Sequence, residues 1–244
     1  MIIPNKTMKL FNTAEIWFEN EPYDIRGYSS ITFRQCANNV ETINFQKSEF
    51  TTQIIDLSKD IDSIWKNMHA KSCRYKINRS IREGVEIRKS DDFHGFYIMY
   101  LSFIKSKSLE EIGYSLDRLK KYGVLYTAYY NKELIAGQIY IQSADSSYLL
   151  LAGSTRLTNT KAIKKIIGFA NKHILWEAIK DAKKQGIREF DFGGIYKGEN
   201  PDPERDRINN FKLSFGGDIV TKYIYYRPYN LFYATLKKIY NIFK

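Results

Sequence analysis

A chain of 244 residues with 43% hydrophobic and 15% aromatic residues can bury a sizeable core, as one large domain or two small ones, and is not disordered. Its formal net charge of +11 points to a polyanionic partner (nucleic acid, an acidic membrane surface or a phosphorylated substrate), with a merely solubilising charge as the plain alternative. Cys36 and Cys73 make neither a disulfide framework nor a zinc site, no apolar run approaches the ~18 residues of a membrane span, and the start Met1-Ile2-Ile3-Pro4-Asn5 lacks a secretory layout, so a metal-free cytoplasmic protein is expected.

Residues 14–57 read as short strands at 15–18, 31–33, 41–45 and 52–56, separated by turn material such as Asn20-Glu21-Pro22 and Asn38-Asn39. Their partial alternation fits a sheet covered on one face, and they are too little chain for a complete domain of their own. Asp60 or Asp62 then caps a helix whose apolar positions are Ile61, Ile64, Trp65, Met68, Cys73, Ile77 and Ile81, with Gly84 as its stop. Its other side carries Lys66, Lys71, Arg74, Lys76, Arg79 and Arg82, and with Arg88 and Lys89 against Glu83 and Glu86 the stretch reaches a local charge of +6. A solvated face is the commoner explanation of such a cluster, with a binding face as the alternative.

A strand at 85–88 precedes two helices. Phe93, Phe96, Tyr97, Tyr100, Leu101 and Ile104 share a face of the first, and Leu109, Ile112, Leu116 and Leu119 a face of the second. Strands at 124–130 and 134–141, joined by Asn131-Lys132-Glu133, form a hairpin, and 147–153 adds a third strand. Thr158-Asn159-Thr160 caps a long helix with the core stripe Ile163, Ile166, Ile167, Ala170, Ile174, Ala178 and Ala182, stopped at Gly186. A strand at 188–192, a polar loop, a short helix carrying Phe211 and Lys212, and a strand at 220–226 follow. Phe211 and Phe215 share one buried side of that helix, and Gly216 supplies the left-handed residue that ends it. In the tail, 229–244, Phe232, Leu236, Ile239, Tyr240 and Phe243 oppose Lys237, Lys238 and Lys244. That stripe either docks on the preceding domain or lies on an anionic membrane.

Strand, two helices, a three-strand meander, helix, strand, helix, strand is the order of the GCN5-related N-acyltransferase fold. The expected class is therefore α+β: a mixed sheet flanked by helices over 85–228, preceded by a reduced β-rich subdomain, 1–84, and followed by an amphipathic helix, 229–244. Over roughly 55–228 the chain resembles the FemAB-like branch of that superfamily, the peptidoglycan interpeptide-bridge aminoacyltransferases and their shorter relatives. The residues that carry the resemblance are Trp65 with Arg74-x-x-Ile77-x-Arg79-Ser80-x-x-x-Gly84-Val85, then Asp191-Phe192-Gly193-Gly194, then Phe211-Lys212-x-x-Phe215-Gly216-Gly217. The bridge-forming enzymes have two full acyltransferase domains and an inserted coiled-coil arm. Here the first domain is reduced and the arm is absent.

The resemblance implies transfer of an aminoacyl or acyl group onto an amine of a peptidoglycan or surface-polysaccharide precursor, without a covalent enzyme intermediate. Such a site must accept a proton and stabilise an oxyanion. By the same resemblance Lys212 contacts the donor's reacting end or its phosphates, with Phe211 packed beside it. Asp191 has two readings of equal weight: it orients or deprotonates the amine, or it caps the adjoining glycine turn. Tyr196, Lys197 and Arg207 are candidate substrate contacts, and Arg74 and Arg79 suit the diphosphate of a nucleotide- or lipid-linked acceptor. No cofactor is expected beyond an activated donor, either aminoacyl-tRNA or an acyl thioester, and the location extends to peripheral contact with the inner membrane face.

Two other motifs are closed off. Asp191-Phe192-Gly193 matches the kinase metal-binding triplet, but the glycine-rich loop and the His-Arg-Asp loop are missing. Arg156-Leu157-Thr158-Asn159-Thr160-Lys161-Ala162 keeps the arginine of an acetyl-CoA cradle without its small residues in register, which disfavours acetyl-CoA. An acetyl-CoA-dependent amino-sugar N-acetyltransferase and a non-enzymatic basic RNA-binding module stand as the alternatives.

Overall fold

The polar caps and positive-φ glycines expected from sequence mark most element ends in the computed structural model, which describes residues 1–7, 10–109, 113–198 and 200–242. Asp60 Oδ1 accepts the Ser63 amide at 2.8 Å and starts helix α1 (Ile61–Asn67). A π-helical turn, Ala70–Arg74, leads into α2 (Tyr75–Arg82), which Gly84 closes at φ +76°. The expected single helix is thus broken after Met68, and Ile81, placed on its apolar face, is 54% exposed. Within α2 the buried line runs through Ile77 and Ser80, whose hydroxyl meets His173 Nδ1 at 3.2 Å, and Ile81 falls on the outer side.

The chain forms two compact units, Met1–Thr52 with Val220–Lys244, and Gln53–Ile219. Within the second unit α2 packs on the long helix α5 (Lys161–Lys184).

In the first unit, β1 (Ile2–Thr7) pairs antiparallel with β2 (Phe11–Trp17). β2 lies parallel to β3 (Ser30–Cys36), and β3 pairs antiparallel with β10 (Asp218–Pro228). Ile16, Ile31, Phe33 and Tyr225 are its buried centre. The strand expected at 41–45 is not one. Ile43 sits fully exposed in a turn, while Phe45 meets Phe33 edge-on at 5.8 Å, an apolar anchor that needs no strand. The tail helix α7 (Leu231–Ile242) forms as expected, but its buried anchor is Tyr233, 5.0 Å from Phe11. Phe232 and Ile239 of the expected stripe are exposed. Phe243 and Lys244 lie outside the described residues, as does Ile112 of the second helix expected after residue 106.

The second unit orders its strands β4 (Gln46–Asp56, of which Gln53 onward belongs to this unit), β9 (Glu189–Gly194), β8 (Ser146–Ser154), β7 (Glu133–Gln142), β6 (Gly123–Tyr130) and β5 (Glu86–Ser90). Asn131 and Lys132, both at positive φ, make the tight turn between β6 and β7, and Glu133 already belongs to the strand. Alternation then separates two layers of core. Tyr126, Ala128, Tyr140 and Phe190 face α5, α1 and α2, whereas Leu125, Ile139 and Leu151 face α3 (Phe93–Ser106) and α4 (Leu116–Tyr122). Leu109, expected on the second of these helices, lies before it and is exposed. This mixed sheet, covered by helices on both faces, is the expected acyltransferase architecture. Among the described residues no helix is long and apolar enough to cross a membrane.

Candidate functional site

Helix α6 (Pro203–Leu213) starts with Pro203 behind Asp202, whose Oδ1 accepts the amides of Glu204 and Arg205. None of its side chains is fully buried, so polar contacts hold it: Lys107 with Glu204, Asn209 with the Tyr196 backbone, and those at its C-terminal end. That end is clamped from three directions. Lys172 on α5 donates to the Phe211 carbonyl at 3.1 Å and to Ser214 Oγ at 2.5 Å. Gln53 Nε2 donates to the Lys212 carbonyl at 3.1 Å and also to that of Gly216. The His69 amide donates to the Ser214 carbonyl at 2.9 Å. Helix C-termini leave carbonyls without intrahelical partners, and here side chains and backbone from other elements satisfy them. Phe215 is buried against Phe192, while Phe211 is only half-buried, so the two rings share the inner side unequally.

Gly216 and Gly217 turn the chain at φ +75° and +88°, and a Cβ on Gly217 would run into the Ile54 carbonyl. The pair of glycines is therefore structural, as close backbone approach demands.

Lys212 Nζ donates to the Gly194 carbonyl at 2.7 Å. Burial lowers its pKa to about 8, and the charge of Asp191 opposes that fall. Asp191 itself is buried, and its Oδ1 accepts the Gly193 amide at 2.6 Å. That is the turn-capping geometry of its two expected roles. The parallel β8–β9 register ends at Tyr148↔Asp191, after which β8 continues to Ser154 and β9 to Gly194. Asp191, Gly194 and Lys212 thus gather where the paired register stops.

The other expected residues divide. Arg74 lies on the π-turn, its Nε donating to the Met68 carbonyl at 3.1 Å, next to Cys73 and hence near the α6 clamp. Arg79 is on the exposed side of α2, ion-paired with Glu83 at 2.5 Å. Tyr196 is tied to α6, its amide donating to Asn209 Oδ1 at 3.0 Å and its ring 4.7 Å below Arg205. Lys197 and Arg207 are exposed.

Lys172 was not legible as a site residue. It is 3% exposed, with Nζ 4.1 Å and 4.7 Å from the Phe211 and Phe215 ring centroids, and burial lowers its pKa to about 8. Its partners stand 39 and 42 residues downstream, beyond any local pattern. A pocket of about 270 Å³ borders Phe215 and Gly217, with Asp56, Lys59 and Asn67 among its walls, but none of the eight expected site residues lines it. At the start of α5, Thr160 caps the helix through the Ile163 amide, and Asn159 Nδ2 donates to the Thr155 carbonyl at 2.9 Å.

An acetyltransferase (GNAT) domain model matches residues 113–203, ending short of Lys212. No curated protein matches the chain significantly in sequence. Among solved structures, FemX is similar with a TM-score of 0.62 at 12% identity, covering 96% of this chain and 85% of that one. L-PGS from Bacillus licheniformis gives 0.54 at 14%, covering 83% and 69%. A C-terminal DUF2156 domain from Agrobacterium fabrum, assigned to a lysylphosphatidylglycerol synthetase, gives 0.56 at 11%, covering 80% and 67%. At such identities the likeness is one of fold: the chain folds as FemX and these synthetase domains do, with an acetyltransferase (GNAT) match over residues 113–203.

Proposed function

We propose that this chain is an N-acyltransferase that moves an aminoacyl or acyl group from an activated donor to an amine of a cell-envelope precursor. The observation that carries the reading is the half-buried Lys212 ammonium held at Gly194, where the β8–β9 register ends. With a pKa of about 8 it is mostly protonated at neutral pH, and a desolvated cation beside a reacting carbonyl stabilises the oxyanion that forms there. The amine attacks the donor carbonyl directly. A C–N bond forms, the donor's C–O or C–S bond breaks, and the proton shed by the amine ends on the leaving oxygen or sulfur. Asp191 holds the glycine turn and helps keep Lys212 charged.

Aminoacyl transfer is favoured by likeness to a neighbour whose name describes synthesis of an aminoacylated lipid. Acetyl-CoA is disfavoured because the small residues of its cradle are out of register before α5 and the Thr160 hydroxyl takes the Ile163 amide at the helix start that would hold its pyrophosphate. The basic π-turn around Arg74 suits a phosphorylated or lipid-linked acceptor. Exposed Leu231, Phe232 and Ile239 on α7 suit peripheral contact with an anionic bilayer.

The test is a donor screen on an amine-bearing, nucleotide-linked envelope precursor. Amide product from aminoacyl-tRNA supports the reading. Product from acetyl-CoA alone transfers the chain to the amino-sugar acetyltransferase alternative. RNA binding with no product from any donor sinks the enzymatic reading.

A further inference from the structure

Lysine 172 is a costly residue to bury. Its ammonium sits among two aromatic faces, a carbonyl and a hydroxyl rather than against a carboxylate, and an ammonium taken out of water without an opposite charge is retained only when its hydrogen bonds are well met. Both of its hydrogen bonds end on the last turn of α6, and Ser214 Oγ in turn donates to the same Phe211 carbonyl at 2.7 Å. The favourable interaction of a cation with the negative end of a helix acts at that point too. Since α6 carries no fully buried side chain, these bonds do what a packed apolar face does for other helices.

We propose that Lys172 is the positioning residue for Lys212: by gripping the Phe211 carbonyl and Ser214 hydroxyl it fixes the helix end that delivers the Lys212 ammonium to Gly194. The inference rests on the reading of Lys212 as the acting group only for its effect on turnover, and the positional claim stands apart from it. Among the described residues, Cys73 and Lys76 act on Lys172, Arg74 acts on Cys73, and Asp191 acts on Lys212.

The experiment measures Lys212 itself, by competitive acetic anhydride labelling across pH 6–11, in the wild type and in Lys172→Met, Lys172→Arg and Ser214→Ala. Methionine keeps the length and removes the donors; arginine keeps the charge; Ser214→Ala removes one acceptor and covers the case in which Lys172→Met does not fold. With the grip lost, Lys212 is expected to become solvated and its pKa to climb from about 8 toward the ordinary 10.5 in Lys172→Met, and part of the way in Ser214→Ala. Lys172→Arg is expected to retain the depressed value. If transfer is assayed alongside, kcat falls about 100-fold in Lys172→Met with KM little changed, as a small misplacement of an acting group does, and Lys172→Arg restores most of it. A Lys212 pKa that stays near 8 in folded Lys172→Met and in Ser214→Ala overturns the proposal. If the pKa climbs yet Lys212→Ala transfers as well as wild type, the positioning stands and the functional reading falls.

Discussion

Asp191 and Lys212 act on each other across the end of β9: burial pushes the lysine's pKa down to about 8, and the aspartate's charge limits the fall. The aspartate is fixed by the Gly193 amide, so its charge cannot swing away. A shift of this kind beside a buried carboxylate is itself a pointer to function.

The first prediction follows from that pair. If the ammonium form of Lys212 is the active one, kcat declines as pH rises through about 8. Asp191→Asn keeps an oxygen for the Gly193 amide but removes the opposing charge, so burial acts alone and the decline moves to lower pH. A pH–rate profile of the two proteins checks it, and an unmoved profile shows that Asp191 does not tune Lys212.

Stability carries the same shifts. Lys172 and Lys212 have pKa values near 8 in the folded chain and 10.5 as ordinary lysines. Between these limits the unfolded chain binds more protons, so this contribution makes stability rise with pH from about 8 to about 10.5. Below pH 8 both lysines are charged in either state, and the penalty for burying them is fully felt. Urea unfolding of wild type and Lys172→Met at pH 7 and 10 is expected to show a smaller pH-dependent gain in the variant. Equal gains contradict the shift at Lys172.

Glycines at similar φ separate conformational strain from collision. Gly84, at φ +76°, has nothing near its missing Cβ, so Gly84→Ala is expected to cost about 1 kcal/mol of backbone strain. Gly217, at φ +88°, faces the Ile54 carbonyl, and Gly217→Ala is expected to lose several-fold more. Equilibrium unfolding of both variants decides it, and equal losses would refute the close approach at Gly217.

Acceptor binding distinguishes the two arginines. Arg74 lies by the α6 clamp, whereas Arg79 points away and is paired with Glu83. Arg74→Ala is expected to raise KM for a diphosphate-bearing acceptor about tenfold, as loss of one charge-assisted contact does, and Arg79→Ala to change it less. Steady-state kinetics with the acceptor varied reads this directly, and a larger effect at Arg79 reverses the assignment.

Much of the second unit was legible because its strands alternate cleanly and its ends are marked by chemistry that acts locally: Thr160 at the start of α5, Gly186 after it, Asn131-Lys132 in the hairpin. The motif Phe211-Lys212-x-x-Phe215-Gly216-Gly217 was legible for the same reason, since one helical turn and a left-handed stop sit within seven residues. What holds that motif was not. Gln53, His69 and Lys172 come from three separate places in the chain, and only the folded arrangement brings them to one helix end. On α5 the residues Lys172, His173, Ile174, Leu175 and Trp176 are all buried in succession, so a two-faced reading of that helix had to assign its lysine to solvent. β1 was not among the expected strands: it contains Pro4, which an edge strand tolerates. At 41–45 the error ran the other way: alternation was present, but only Phe45 had somewhere to pack.

The central claim is that the Lys212 ammonium acts on the reacting carbonyl, and single-turnover transfer by wild type and Lys212→Ala tests it most directly. Each protein, confirmed folded by circular dichroism, is mixed in excess with labelled aminoacyl-tRNA and the amine-bearing precursor. The variant is expected to form amide about 100- to 1,000-fold more slowly, with donor and acceptor still bound. Transfer at the wild-type rate by Lys212→Ala would contradict the account.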